Sequence, residues 1–337
     1  MLKRAIIPAW GRILRGYRPF LSVEVTKECP LQCPGCYAYD PGHLNNGHGI
    51  RSLAEWRGDD LVEKVMRLVR RERPLHVSLV GGEPLIRYRE LTALIGRLDA
   101  MDIEVQVVTS AVRPIPEEWG KFSNLHLAVS VDGLQPEHDV RRAPATYERI
   151  LDHIAGHQVI VHCTVTPQFL ERPGYLKEFA ETWSGQSNTR KIWFSLFTPQ
   201  KGASTAERLT AGQRALAINR IAELRTAYPK VYAPGVLLSG LRRPPASPAE
   251  CMFAQITQCF APDLSTPVSP CQIGGNPECS ECGCIAAAGF ACIGNYRLGG
   301  ILKLSDIFAV SRRLGSHFRG RCNSAGQTAE SSVGCPL

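Results

Sequence analysis

Thr26-Lys-Glu-Cys29-Pro-Leu-Gln-Cys33-Pro-Gly-Cys36-Tyr37 follows directly on Phe20–Val25, the first strand-like run of a 337-residue chain. The CxxxCxxC spacing puts three thiolates on one tight loop. Three such ligands hold three irons of a [4Fe–4S] cube and leave the fourth iron without a protein ligand. An open iron is a place for substrate or cofactor, by the logic that separates catalytic zinc sites from closed structural ones. A zinc site more naturally pairs its ligands as two separated CxxC knuckles. Pro30 and Pro34 stiffen the loop, and Gly35 lets the backbone turn closely around an inorganic cluster. The plainer alternatives are three structural cysteines or half a zinc site.

Around this loop, from Phe20 to Pro199, β-rich runs alternate with helical stripes. Leu75–Val80, Ile103–Thr109, Leu125–Val131, Val159–Thr166 and Lys191–Phe197 read as further strands, rich in Val, Ile and Phe. Leu61, Val65, Leu68 and Val69 recur at helical spacing behind the capping candidates Asp59 and Asp60, and Leu91, Leu94, Ile95 and Leu98 form a second stripe. Pro173 fits a first helical turn, and Thr210 with Gln213 resembles a capping box. Six strands with helices between them imply an α/β fold with parallel pairing and right-handed crossovers. The pattern alone leaves open whether the sheet is doubly wound or curls into part of a barrel.

Leu241-Arg-Arg-Pro-Pro-Ala-Ser-Pro248 is proline-dense and marks a boundary. The expected organisation is a basic amphipathic segment over 1–19, the α/β body over 20–240, a cysteine-rich region over 241–319 and a mobile tail over 320–337. Apolar content of 44% and charged content of 21% describe an ordinary globular protein. The net charge of +8 favours acidic partners: anionic lipid head groups, phosphorylated substrates or an acidic redox donor. The chain holds 13 cysteines, an odd count crowded toward the C-terminal third, which reads as metal or cluster ligation in a reducing compartment. The apolar stretch of the N-terminus is broken by Pro8 and Arg12, which argues against a signal peptide. No run approaches the ~18 apolar residues needed to span a bilayer. A cytoplasmic protein is expected, with the inner membrane surface as an alternative resting place.

Gly81-Gly82-Glu83-Pro84 follows the second strand. Two glycines let backbone approach a ligand, and the carboxylate beside them can accept from an ammonium group. On its own this is also a plain tight turn. Ser130-Val-Asp132-Gly133 ends the fourth strand, with Arg141 and Arg142 close behind. Short polar side chains at a strand end can bond hydroxyl groups, and an arginine fork can hold a carboxylate. Asp132-Gly133 reads equally as a turn and Arg142 as a solvated arginine. Thr109, Ser110, Thr164 and Thr166 are weaker candidates for lining a cavity. In the tail, Cys271, Cys279, Cys282 and Cys284 lie among glycines that let the loop wrap a metal, zinc being the alternative to a cluster. Cys251, Cys259 and Cys292 are spare ligands, and Cys163 is a small buried hydrophobe. His43 and His48 sit in the loop after the first cysteines and read as solvated.

Taken in order, these segments resemble the radical S-adenosylmethionine (SAM) superfamily, with a cysteine-rich end like its SPASM or twitch extensions. The resemblance implies a partial (β/α)6 TIM-like barrel with a small cysteine-rich C-terminal extension and chemistry at the carboxyl ends of the strands. It implies a SAM-binding [4Fe–4S] cluster on Cys29, Cys33 and Cys36, and one auxiliary [4Fe–4S] cluster on Cys271, Cys279, Cys282 and Cys284. Gly81, Gly82 and Glu83 match the motif that contacts the SAM amino group, and Ser130 and Arg142 are the choices for ribose and carboxylate. The position before the third cysteine is often aromatic in the superfamily and touches adenine. Here it is Gly35, with Tyr37 as the substitute.

The activity implied is reductive cleavage of SAM to a 5′-deoxyadenosyl radical that attacks a C–H or C=C bond. Two basic amphipathic stretches, Leu2–Phe20 and Ile301–Arg321, favour a membrane lipid or isoprenoid-like substrate, as in adenosylhopane synthase-type enzymes. Packing of both stretches on the barrel is the plain alternative. The competing functions are a SPASM-type maturase of a ribosomal peptide and a non-catalytic iron–sulfur or zinc module. Expected partners are a flavodoxin- or ferredoxin-type electron donor and a small-molecule or lipid substrate, with peripheral membrane contact and no nucleic acid.

Overall fold

Each Val- and Ile-rich run becomes a strand, and all of them pair in one direction. The computed structural model describes residues 2–45, 49–144 and 147–326, apart from the side chains of 2–5 and 318–326. The strands are β1 (Phe20–Glu24), β2 (His76–Val80), β3 (Glu104–Thr109), β4 (Leu125–Ser130), β5 (Val159–Val165), β6 (Thr189–Leu196) and β7 (Thr257–Phe260). They lie in the order β6-β5-β4-β3-β2-β1-β7, every pairing parallel. The two ends of this order, β6 and β7, do not pair, so the barrel is partial and open on one side.

Register separates the two faces. Val23, Leu79, Val107, Leu127 and Val159 are successive partners across the sheet and all lie in the main apolar core. One residue out of phase, Ser22, Ser78, Gln106 and His126 are partners on the opposite face. Because side chains alternate along a strand, helices cover an apolar outer face while the inner face is polar.

The helices follow as α1 (Leu2–Leu14), α2 (Gly58–Glu72), α3 (Tyr88–Asp99), α4 (Glu137–Arg141), α5 (Tyr147–His153) and α6 (Gln168–Glu171). Further on come α7 (Tyr175–Gly185), α8 (Ala211–Ala227), α9 (Gly235–Arg242), α10 (Met252–Ile256), α11 (Ile285–Gly294) and α12 (Leu304–Gly326). Ahead of α12 a short hairpin pairs β8 (Arg297–Leu298) with β9 (Leu302–Lys303). The expected stripes of α2 and α3 are buried in the main core. The Thr210–Gln213 capping box is present at α8. At α2 the cap is Arg57, without a side-chain bond, while Asp59 and Asp60 lie in the first turn, where carboxylates suit the helix dipole. Pro173 precedes α7, which begins at Tyr175 after Gly174.

Beyond residue 240 the chain continues in regular elements. β7 extends the sheet beside β1. α11 lies across the open side: its Phe290 ring is 4.8 Å from Phe20 of β1, and Ile285 N–H reaches Ser195 Oγ of β6 at 3.3 Å. α12 runs helical through Gly326, into the stretch expected to be mobile; 327–337 lie outside the described residues. α1 packs along α12, Trp10 Nε1 donating to Ser311 Oγ at 2.9 Å. Among the described residues no helix is long and apolar enough to cross a membrane.

Candidate cofactor and substrate site

The loop leaving β1 is fastened before it reaches its first cysteine. Glu55 accepts from the Lys27 N–H at 3.0 Å and the Thr26 hydroxyl at 3.1 Å, and pairs with Arg87 at 2.6 Å. Burial alone would raise the Glu55 pKa, but the Lys27 N–H, the Arg57 and Arg87 guanidinium groups and the Thr26 hydroxyl outweigh it and hold the carboxyl at about 2. Sequence reasoning missed Glu55, which sits in an irregular stretch with no motif around it. Further on, Gln32 N–H donates to Ala143 O at 2.8 Å.

Cys29, Cys33 and Cys36 emerge from this scaffold as free, partly exposed thiols. Burial, with Glu83, Cys33 and Cys36 nearby, pushes the Cys29 thiol up to about 11. Three adjoining thiolates therefore need cationic compensation, which iron supplies. Arg142 adds some, its Nη1 lying 4.0 Å from Cys33 Sγ.

The Gly81-Gly82-Glu83 turn hugs the same scaffold. Gly82 N–H donates to Thr26 O and Glu83 N–H to Glu28 O, both at 2.8 Å. A Cβ at Gly82 would strike the Glu28 carbonyl, so this approach requires glycine. The Glu83 carboxylate points into the sheet. It accepts from Leu85 N–H at 3.0 Å, Ser110 N–H at 2.8 Å and the Thr109 hydroxyl. Burial raises its pKa against those donors. Its geometry is that of a bracket joining β2 to the end of β3.

Arg142 is no solvated arginine: its side chain is 14% exposed and bonds Asp132 at 2.8 Å and Ser110 Oγ at 2.9 Å. Asp132 is the hub. It also takes Arg141 and the Thr164 N–H, and although burial opposes ionisation, Arg142 and Arg141 hold its carboxyl at about 2. Arg141 continues the chain of charge to buried Glu207 beyond β6. Ser130 is buried at the end of β4, in register with His162, whose Nε2 lies 2.8 Å from Ser195 Oγ.

A cleft of about 480 Å³ opens beside the cysteine loop, lined by Cys33, Cys36, Gln32, Gln200, Ser204 and Thr205 among others. Phe197 forms part of its wall and lies so close to Gly35 that a Cβ there would be 2.6 Å from the ring. Gly35 also has φ +66°, in the left-handed region. At the residue before the third cysteine, the Phe197 ring, just past the end of β6, occupies the space a side chain would need. Tyr37 also lines the cleft, but its hydroxyl accepts from Gln272 Nε2 at 3.2 Å and its ring lies 5.7 Å from His43.

In the C-terminal region Cys271, Cys279, Cys282 and Cys284 line one small apolar cavity, and Cys251 lines it too. Among the described residues no three ligating side chains close tightly enough for a single metal ion. Thiols around a cavity, rather than around a point, fit a four-iron cube with sulfur ligands on separate irons. Burial pushes the Cys279 thiol up to about 11 and that of Cys271 to about 12, so an unloaded cavity keeps its thiols protonated. Cys259 lies buried on β7 in a different apolar cluster, and Cys163 is buried in the core of β5. His43, expected in solvent, is fully buried: Nε2 lies 2.9 Å from Glu24 Oε1 and Nδ1 2.9 Å from Ile273 O. His48 lies outside the described residues.

Residues 23–158, which hold all of this up to Arg142 and beyond, match the Radical SAM superfamily. This segment is a radical SAM domain. Domains of this family use a [4Fe–4S] cluster with SAM, and SPASM-type relatives carry auxiliary clusters. Over 139 residues the chain is 26% identical to the PqqA peptide cyclase of Bradyrhizobium diazoefficiens, covering 40% of this chain and 31% of that protein. To the PqqA peptide cyclase of Rhodopseudomonas palustris it is 33% identical over 106 residues, 32% of this chain and 26% of the relative. A 7-carboxy-7-deazaguanine synthase of Hyperthermus butylicus is 26% identical over 102 residues, 30% of this chain and 39% of the relative. The chain thus spans under two fifths of each of these relatives.

Solved structures extend the likeness in fold beyond the radical SAM domain. Streptococcus suis SuiB bound to precursor peptide SuiA has a TM-score of 0.54 at 13% identity, over 94% of this chain and 70% of that one. The structure of anSMEcpe with bound AdoMet has a TM-score of 0.55 at 12% identity, over 92% and 96%.

Proposed function

We propose that the protein is a radical SAM enzyme that modifies a peptide. The observation that carries the reading is the cleft beside Cys33 and Cys36, whose wall offers the side-chain amide of Gln32 and the hydroxyls of Ser204 and Thr205, while the Gln200 amide is held by Gly274 O and Asn276 N–H. An extended peptide presents a backbone donor and acceptor at each residue, and such a wall can answer them. An isoprenoid chain would leave those groups without partners. The PqqA peptide cyclase relatives support the same choice over the lipid-type enzymes.

A reduced cluster on Cys29, Cys33 and Cys36 supplies, when bound, the electron that cleaves SAM to methionine and a 5′-deoxyadenosyl radical. Arg142, fixed by Asp132 and Ser110, places a cation beside Cys33 for the SAM carboxylate. In this reading Gly81 and Gly82 let backbone approach the SAM amino group, and Ser130 serves the ribose. The cleft walls hold the substrate bond near the radical carbon and keep water out. A flavodoxin- or ferredoxin-type donor fits the electron supply.

The test is anaerobic reconstitution followed by a 5′-deoxyadenosine assay with dithionite. Wild-type protein releases deoxyadenosine, and the Cys29→Ala/Cys33→Ala/Cys36→Ala variant releases none. Candidate peptides raise the rate and gain a mass change, whereas a lipid extract does neither. Stimulation by lipid alone would overturn the peptide reading, and full SAM cleavage by the triple variant would overturn the assignment itself.

A further inference from the structure

α1 and α12 are packed together, yet each keeps a second apolar stripe in solvent. Trp10 bonds Ser311, and a Cβ at Gly315 would strike the Ile13 carbonyl, so contacts advance along both helices together and the two run parallel. Their inner flank is closed: Ile13 and Phe308 bury with Met252 and Ile256. At about 100° per residue, Ile7 and Leu14 fall on the other side of Trp10 from Ile13. Val310 and Leu314 likewise fall on the other side of Ser311 from Phe308. For parallel helices these two outer flanks face the same way. They carry Ile7 at 76% exposure, Val310 at 57%, Leu314 at 51% and Leu14 at 42%. The hairpin just ahead of α12 also exposes Ile301 and Leu302.

The rims of this face carry an arginine on each helix, with exposed Asp306 beside Arg313 on the α12 rim. Arg15 follows directly on the last residue of α1, next to Leu14, and by the same rotation Arg313 borders the α12 stripe on its far side; both are exposed. An apolar strip edged by arginines is the pattern of helices that lie in a membrane interface, where the strip enters the acyl boundary and the guanidinium groups reach the head groups.

We propose that the paired outer faces of α1 and α12 seat the protein on an anionic lipid surface. A second copy of the chain fits less well, because the net charge of +8 repels another copy and draws the protein to an anionic surface. The inference does not depend on the substrate, since it concerns where the enzyme sits.

The test is flotation of the full-length protein with vesicles, read without any activity assay. Vesicles of equal parts phosphatidylglycerol and phosphatidylcholine carry the protein up at low salt, binding falls as salt rises, and pure phosphatidylcholine vesicles leave it behind. Arg15→Gln with Arg313→Gln weakens binding roughly thirty-fold, and Ile7→Ser with Val310→Ser weakens it at least about tenfold. Both pairs are solvent-facing, and circular dichroism matching wild type verifies their fold. Wild-type protein that stays soluble at low salt overturns the proposal. So does equal, salt-insensitive binding to both vesicle types, or self-association that Ile7→Ser/Val310→Ser abolishes while vesicles are ignored.

Discussion

Gln272 Nε2 donates to the Tyr37 hydroxyl at 3.2 Å, which ties the residue after Cys36 to the residue after Cys271. His43 makes a second tie a few ångströms away, between Glu24 at the end of β1 and Ile273 O. Two cysteine loops far apart in sequence therefore share one buried junction. His43→Ala leaves Glu24 buried without its partner, and should cost about 3–5 kcal/mol. Tyr37→Phe removes one hydrogen bond, and should cost about 1 kcal/mol. Urea denaturation of the reconstituted protein measures both. Wild-type stability in His43→Ala would show that the junction does not hold the loops together.

Much of this was legible in the sequence, and the gaps have physical causes. Cys29, Cys33 and Cys36 are a local pattern, and six of the seven strands of the parallel sheet announced themselves by Val and Ile runs. β7 is only four residues, Thr257–Phe260, directly after a short helix, so it shows no period of its own. The roles of His43 and Glu55 depend on partners that the fold brings together. Their burial is a tertiary fact, and loop composition predicts solvent instead. Glu83 stood out in a motif, yet the direction of its carboxylate could be read only from the fold.

That direction changes what Glu83→Gln should do. An amide in place of the carboxylate turns one acceptor into a donor facing Leu85 N–H, Ser110 N–H or the Thr109 hydroxyl. Stability should fall by about 1–3 kcal/mol, with SAM affinity reduced as a consequence of a loosened turn. Thr109→Val combined with Glu83→Gln should cost less than the sum of the two, since both break one network. Strict additivity by denaturation would separate them.

Acid should act through Glu55. Its folded pKa, about 2, lies below the ordinary 4.5. The ionised form is therefore favoured by the fold, its contribution is complete above the ordinary value, and it is lost as pH falls toward 2. Glu55→Gln should be less stable at neutral pH and lose less stability between pH 7 and about 3.5. Parallel thermal midpoints for wild type and variant across that range would refute a role for this carboxylate.

Five cysteines surround a cavity suited to a four-iron cube, so one thiol is surplus to the cube. Cys251 is only 8% exposed and faces the same space as Cys282 and Cys279. Cys251→Ser should leave bound iron and sulfide near the wild-type level, as should Cys163→Ser in the β5 core. Removing Cys271, Cys279, Cys282 and Cys284 together should cost iron and stability alike, because ligation and folding are coupled there. Zinc in place of iron in anaerobic preparations would exclude the cluster.

Gly35 and Phe197 offer the sharpest test of the cleft. A methyl at position 35 meets two main obstacles, with Glu207 Cγ at 3.2 Å a milder third. The backbone at φ +66° disfavours any L side chain by about 1 kcal/mol, and the new Cβ would lie 2.6 Å from the Phe197 ring. The first penalty is fixed by the backbone, while the second disappears when the ring is gone. Gly35→Ala should therefore destabilise the wild type by about 2–4 kcal/mol, overpacking adding to the backbone cost. In a Phe197→Ala background it should cost only about 1 kcal/mol. The difference is the coupling energy of the two positions. Gly35→Ala should also weaken SAM binding, by pushing Phe197 into the cleft beside Cys33 and Cys36, and Phe197→Ala should relieve that effect in the double variant. Equal penalties in the two backgrounds would mean that the ring does not press on the cysteine loop.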